Sequence, residues 1–256
     1  MSDMPTYPDL KDASVFITGG GSGIGAALTD GFLAQGANVA FVQRSDATAF
    51  ADEMASKHGR RPHYMPCDIT DIGKLGCCIA EAAEINGPVT VLVNNAANDK
   101  RHLTQDVDEE FWDWSIAINL KAYFFACQSV VEDMANAGGG SIINFSSISY
   151  MMGNAGYPIY TAANSGINGM TRSLAREFGP SKIRVNALAP GWVLTQKQKD
   201  MWVTEEGLRA HLDRQCLKDT LDPEDIVGGV LFLASRASKM MTGQSLVIDG
   251  GVVVTG

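Results

Sequence analysis

Short, apolar, β-branched runs alternate with longer stretches of helical spacing along this chain, and few architectures accommodate that alternation. The strand-like runs fall at 14–18, 38–42, 63–66, 89–93, 141–145, 182–188 and 245–248. Helical spacing fills 23–35, 47–58, 71–85, 108–134 in two pieces, 157–178 and 223–234. The run Val89-Thr90-Val91-Leu92-Val93 is almost continuously apolar, as in strands buried on both faces. Gly179-Pro180 stops one helix, and Pro223 opens another at its first turn. These βαβ units predict an α/β fold, a doubly wound parallel sheet of seven strands with helices on both faces. No linker or shift in composition divides residues 1–256, so one domain is expected, with 192–220 as an irregular flap over its site.

With 45% hydrophobic residues, the 256-residue chain can fill a sizeable core. A net charge of -9 and the lack of any Lys/Arg cluster argue against a nucleic-acid partner. No window approaches the roughly 18–20 apolar residues of a membrane span. The first residues lack the charged and apolar regions of a secretory signal. Five cysteines, with no CxxC pair and no metal-ligand spacing, fit a reducing cytoplasm, small buried hydrophobic thiols and no bound metal.

Between the first strand and the first helix stands Thr18-Gly19-Gly20-Gly21-Ser22-Gly23-Ile24-Gly25. Glycines let a backbone approach a pyrophosphate, and a helix N-terminus offers unpaired N–H groups and the positive end of its dipole. A plain turn has the same composition, but the placement after an apolar strand and before a helix favours the dinucleotide site.

Over nearly its whole length the sequence resembles the short-chain dehydrogenase/reductase family. The family's TGxxxGxG is matched by Thr18, Gly19, Gly23 and Gly25, and its NNAG by Asn94-Asn95-Ala96-Ala97, with alanine in the glycine slot. Asn119 stands for its helix asparagine, Ser147 for its serine, and Tyr160, thirteen residues on, for its tyrosine. Pro190-Gly191 with Thr195 matches the segment after the sixth strand. The resemblance implies a single-domain Rossmann fold that holds NAD or NADP. The implied cofactor contacts are Gly19, Gly21, Ser22, Gly23, Ile24, Gly25, Arg44, Ser45, Asp68, Ile69, Asn95, Ala96, Ala97, Tyr160, Asn164, Pro190, Gly191, Val193 and Thr195. Asp68 falls where the family's aspartate meets adenine; its plain alternative is a helix N-cap ahead of Asp71. NAD-preferring relatives carry an acidic residue at the end of the second strand, whereas this chain has Gln43-Arg44-Ser45. The missing carboxylate removes repulsion of a 2′-phosphate and Arg44 can pair with one, which favours NADP; otherwise Arg44 simply points to water.

In the family, the tyrosine exchanges a proton with the substrate oxygen, the serine hydrogen-bonds that oxygen, and a lysine four residues after the tyrosine binds ribose and lowers the tyrosine pKa. Residues i and i+4 share one helix face, which explains the spacing. Here the sequence reads Tyr160-Thr161-Ala162-Ala163-Asn164, so the expected catalytic set is Asn119, Ser147, Tyr160 and Asn164, without the cation. A unit charge about 5 Å away at an effective dielectric near 20 favours a phenolate by roughly 3 kcal/mol, about two pK units. Cofactor binding should therefore survive the asparagine better than turnover does. A knocked-out enzyme, an enzyme displaced to high pH and a non-catalytic NADP-binding homologue all remain open. Ser147 has neighbours in Ser146 and Ser149, Tyr160 has one in Tyr157, and Asn119 can equally satisfy backbone groups at a helix kink.

Three segments should line the substrate pocket: 98–102, 149–157 and 192–216. Asn98, Asp99, Ser149 and Gln196 supply hydrogen-bonding groups, and Tyr157 and Trp192 flat apolar faces, as a polyhydroxylated substrate requires. A solvated charged loop and core tryptophans are the plain alternative. Within the family, Asn98–His102 as Asn-Asp-x-Arg-His, Gly191–Thr195 as Gly-Trp-Val-x-Thr and Gln215–Lys218 as Gln-Cys-Leu-Lys resemble bacterial aldose 1-dehydrogenases of the xylose and galactose type. A ketone or 3-oxoacyl reductase is the runner-up. Family members usually form tetramers, which here would use the apolar faces of 117–134 and 166–178 and the tail 245–256.

Overall fold

Strand β1 (Ser14–Thr18) is buried along its whole length, parallel to β2 (Asn38–Gln43) on one side and β4 (Val91–Asn94) on the other. Its side chains alternate between two apolar layers, as the period of two demands. Val15 and Ile17 join Leu28, Phe32, Ile226 and Val230, while Phe16 joins Leu75, Ile79, Ala126 and Val130. The computed structural model describes residues 4–254; the ends of the expected domain 1–256 and of the tail 245–256 lie outside them.

Helices connect the strands. Helix α1 (Gly23–Ala34) joins β1 to β2, α2 (Thr48–His58) leads to β3 (His63–Pro66), and α3 (Ile72–Asn86) leads to β4. Helices α4 (Glu109–Ile116) and α5 (Ala122–Asn136) precede β5 (Gly140–Phe145). A π-helical turn, Ala117–Lys121, joins those two helices, the break expected within 108–134. The short α6 (Ser149–Met152) and the long α7 (Pro158–Phe178) precede β6 (Ile183–Pro190). Helices α8 (Gln196–Met201), α9 (Glu205–Arg214) and α10 (Pro223–Ala234) lead to β7 (Ser245–Ile248). The strands lie in the order β3-β2-β1-β4-β5-β6-β7, all parallel. The chain reverses its winding between β1 and β4, so a crevice opens beyond their carboxyl ends, where such sheets bind ligands.

The segment 192–220, expected to be irregular, is largely helical. Residues 196–214 form two helices, with Thr195 and Thr204 as N-caps accepting from the N–H groups of Gln198 and Gly207. Neither helix buries a residue completely, so its apolar spacing is too diluted to read from sequence. The expectation of buried thiols also needs correction: Cys67, Cys78 and Cys127 are buried, but Cys77 and Cys216 are exposed. Among the described residues no group of His, Cys, Asp and Glu is arranged to hold a metal ion, and no helix is long and apolar enough to cross a membrane.

Candidate active site

The glycine turn is locked to the end of β4. The Thr18 hydroxyl accepts from the N–H groups of both Asn95 and Ala96, each at 3.0 Å, and the Asn95 amide donates to the carbonyls of Thr18 and Gly19. Gly19 has φ +72°, and a Cβ on Gly25 would lie 1.8 Å from the Gly19 carbonyl oxygen. Only glycine admits that approach. Ser22, the N-cap of α1, forms no side-chain cap bond, which leaves the first turn of the helix to an external acceptor. A backbone cradle and an uncapped helix end fit the pyrophosphate of a dinucleotide.

Around the expected adenosine end, the side chains are mostly occupied with one another. The Gly21 N–H donates to Gln43 Oε1 at 3.0 Å, and the Gln43 amide reaches the Ser45 hydroxyl, also at 3.0 Å. Gln43 thus stiffens the turn, a contact that spacing alone did not suggest. Asp68 accepts from the N–H and hydroxyl of Thr70, while Asp71 is the N-cap of α3. Burial opposes ionisation of Asp68, but the Thr70 bonds and Arg44 outweigh it and hold its carboxyl below the usual range. Arg44 is exposed and stands 4.0 Å from Asp68. Ile69 is buried in the apolar layer beneath.

A cavity of about 770 Å³ opens at the carboxyl edge of the sheet, and Asn119, Ser147, Tyr160 and Asn164 all line it. Buried polar bonds fix the strands and helix that carry them. Asn94 donates to Asn144 at 2.9 Å and Asn144 to Thr171 at 3.1 Å, which ties β4, β5 and α7 together. The Ser146 hydroxyl donates to the Asn164 carbonyl, and the Asn168 amide reaches both. Asn119, in the π turn, accepts from the Asn98 N–H at 2.8 Å and donates to the Asn98 carbonyl. It therefore satisfies backbone groups at a kink and also faces the cavity. The Ser147 hydroxyl accepts from the Ser149 N–H at 3.1 Å.

None of the groups that act on the buried Tyr160 phenol is a cation. Burial, followed by the nearby Asp99 carboxylate, pushes its pKa up to about 12, against the opposing pull of Asn164 and Ser147. The Asn164 amide also donates to the Tyr160 carbonyl one turn back at 2.8 Å, so part of its bonding capacity is spent within the helix.

The three expected segments do converge on this cavity, but two of the six expected substrate residues do not line it. Gln196 is exposed and donates to Asp200 at 2.7 Å because it lies on the outer side of α8. Gln198, two residues on, faces inward instead. It accepts from Trp192 Nε1 at 3.0 Å and donates to Asp99 at 2.9 Å, a role visible only once the helix is placed. Asn98 also stays out of the wall, since its side chain closes a turn onto the Lys100 N–H and its backbone is held by Asn119. Asp99, Ser149, Tyr157 and Trp192 do line the cavity, joined by Trp202, which is only partly buried rather than part of the core. Trp202 Nε1, His211 Nε2, Ser149 Oγ and Tyr123 Oη are buried there without a hydrogen-bond partner.

A winding reversal, a glycine cradle and a serine–tyrosine pair beside it define a dinucleotide-dependent oxidoreductase, and the chain belongs to the short-chain dehydrogenase/reductase family. The family profile described as enoyl-(acyl carrier protein) reductase matches residues 19–253. Among curated relatives, the probable galactose dehydrogenase of Rhizobium meliloti is 46% identical over 96% of this chain and 97% of its own. The D-xylose 1-dehydrogenase of Caulobacter vibrioides is 44% identical over 96% and 97%. A blue fluorescent protein from a metagenomic library, solved in complex with NADPH, superposes with a TM-score of 0.88 at 34% identity, over 96% of this chain and 99% of that one.

Proposed function

We propose that this chain is an NADP-using sugar dehydrogenase of the aldose 1-dehydrogenase type, with a proton-transfer step weakened by Asn164. The observation that carries the reading is the cavity wall beside Tyr160, where the polar side chains of Asp99, Asn119, Ser147, Asn164 and Gln198 alternate with the rings of Tyr157, Trp192 and Trp202. Polar groups interleaved with flat apolar faces suit a ligand dense in hydroxyls. The relatives named for galactose and xylose point the same way.

The cradle of Gly19, Gly21, Ser22, Gly23, Ile24 and Gly25 holds the pyrophosphate, and Asn95, Ala96, Ala97, Pro190, Gly191, Val193 and Thr195 frame the rest of the dinucleotide. Asp68 and the backbone of Ile69, whose side chain is buried beneath, would border the adenine. The absence of an acidic residue at Gln43, with Arg44 and Ser45 beside it, favours NADP over NAD. When bound, the nicotinamide supplies the acceptor for the hydride of an alcohol carbon or the donor for a carbonyl. Tyr160, once it has lost its own proton to solvent, takes the proton of the sugar hydroxyl as the phenolate, and Ser147 hydrogen-bonds the sugar oxygen. Asn119 holds the loop at Asn98 against the cavity and offers its polar group to a proton path. Asn164 bonds ribose without supplying charge, so the phenol remains protonated near neutral pH. The segment 192–220 closes over the substrate as a flap. Exposed Phe124 on α5 and exposed Val254 support assembly as a homotetramer, and free cysteines support a cytoplasmic setting.

Aldoses screened with NADP and NAD between pH 7 and 10, followed by nicotinamide absorbance, test the reading. Turnover of pentoses or hexoses that rises with pH supports it. Turnover of ketones or acyl thioesters alone would replace it with a reductase. Tight dinucleotide binding with no turnover, and no rescue by Asn164→Lys, would leave a non-catalytic NADP-binding homologue.

A further inference from the structure

The loop after β4 and the flap meet across the cavity, and among the described residues their hydrogen bonds to each other converge on one carboxylate. Asp99 accepts from the Gln198 amide at 2.9 Å and from Lys197 Nζ at 3.3 Å. Lys197 is half exposed, so water screens its pairing. Gln198 is partly buried and, unlike Lys197, has a second partner: its Oε1 accepts from Trp192 Nε1 at 3.0 Å. One amide therefore bridges two side chains of the cavity wall, one charged and one flat and apolar.

The chemistry of the two partners leaves this amide a single orientation. An indole N–H only donates and a carboxylate only accepts, so Oε1 must face Trp192 and Nε2 must face Asp99. The backbone beneath is equally fixed. The Gln198 N–H donates to the Thr195 hydroxyl that caps α8, and the Gln198 carbonyl accepts from the N–H groups of Trp202 and Val203. Gln196, two residues back and about 200° round the helix, is exposed instead. Trp192 has further supports. The His211 ring meets it edge-on, with centroids 5.4 Å apart. A Cβ on the preceding Gly191 would lie 2.8 Å from Asp249 Cα, so the backbone there has no room to shift.

We infer that Gln198 is a positioning residue of the substrate site, holding the Trp192 ring and the Asp99 carboxylate in one fixed arrangement and so setting how tightly a sugar binds. This rests on the sugar-dehydrogenase reading above and deepens it by naming a residue that governs affinity at that site. A sugar needs a flat face for its C–H groups beside polar groups for its hydroxyls, in fixed register. Trp192 supplies the first and Asp99 the second, and the amide between them fixes the register. One N–H and one lone pair of the amide have no partner among the described residues, and a hydroxyl, which both donates and accepts, satisfies either. Without the bridge the two side chains are free to turn and must be ordered again on binding, a loss of about tenfold in affinity.

The test is an equilibrium titration with D-galactose and D-xylose of the protein saturated with reduced dinucleotide, which prevents oxidation of the sugar. Gln198→Leu, similar in size but unable to bridge, should weaken both sugars by about tenfold or more. Gln198→Glu sets a second carboxylate against Asp99 and should weaken them at least as much. Combining Gln198→Glu with Asp99→Asn restores the bridge with its polarity exchanged, because the introduced carboxylate accepts from both Trp192 and the introduced amide. Affinity should then return to within about threefold of the unsubstituted protein, a rescue that a side chain merely filling space would not give. Unchanged dinucleotide affinity in all three variants verifies that they fold. Sugar binding within about threefold of the unsubstituted protein in Gln198→Leu, or a double variant as weak as Gln198→Glu alone, would overturn the assignment. If the unsubstituted protein binds dinucleotide but neither sugar, the sugar reading itself falls and the assignment with it, a result distinct from a failure seen in the variants alone.

Discussion

The two sides of the crevice are built on opposite principles. On the β1–β4 side the side chains that position the turn are paired within the protein, while the first turn of α1 has no side-chain cap: Thr18 holds Asn95 and Ala96, Asn95 holds Thr18 and Gly19, and Gln43 holds Gly21. On the substrate side Ser149, Trp202 and His211 each bury an atom that has no partner. The first arrangement costs no reorganisation when a ligand arrives, which suits a ligand of constant chemistry. The second leaves buried polar atoms unpaired among the described residues, at a cost of about 1–3 kcal/mol each.

The largest effect that would break the paired side comes from Gly25→Ala. A methyl group 1.8 Å from the Gly19 carbonyl oxygen forces the backbone apart, at more than the roughly 1–3 kcal/mol of ordinary overpacking. Dinucleotide affinity should fall by more than about a hundredfold, measured by fluorescence titration, while thermal unfolding shifts downward.

Asn164→Lys comes next and acts where the two sides meet. A cation there favours the phenolate by roughly 3 kcal/mol, so turnover near pH 8 should rise about a hundredfold. A gain under about tenfold would count against the electrostatic account. The sign is checked by pH. Because the Tyr160 phenol is pushed up to about 12 and must lose its proton before it can accept one, the oxidation rate should climb about tenfold per pH unit through pH 10. In the lysine variant the profile should level off about two units earlier.

Thr18→Val keeps the shape of a buried side chain but orphans two N–H donors. Chemical denaturation should show a loss of about 2–4 kcal/mol, with dinucleotide binding weakened and the substrate side untouched. Asp99→Asn should have the smallest effect. Its pairing with Lys197 is half exposed, so stability should change by no more than about 0.5 kcal/mol. Removing that carboxylate takes away one of the charges that raise the phenol, so the pH profile should move in the same direction as for Asn164→Lys, by less. A shift to higher pH would show that Asp99 does not act on Tyr160 through its charge.

The alternation of apolar runs with helical spacing placed all seven strands near their observed positions. For β1, β2, β4, β5 and β6 the reason is that a strand buried on both faces has little freedom in composition, whereas the edge strands β3 and β7 are mostly half-buried and were legible from their place in the alternation. The cradle was equally legible: a backbone that must pass within touching distance of another backbone leaves glycine as the one residue that fits. That Asn164 shares a helix face with Tyr160 was plain from spacing, since i and i+4 meet whatever surrounds them; that a lysine is expected there came only from the family resemblance. The flap was not legible. Helices α8 and α9 rest on the protein with partly covered faces, so polar residues dilute the pattern, and Gln196 and Gln198 cannot be ranked without knowing which side of α8 faces inward.

The chain's own order of residues determined the sheet and the glycine cradle, because each follows from local spacing or from steric limits on one residue. Only the tertiary structure decided which polar atoms find partners and which are left waiting, since that depends on segments nearly a hundred residues apart, as in the meeting of Asp99 with Lys197 and Gln198. Hydrogen bonding is settled by distance in space, which no local pattern encodes.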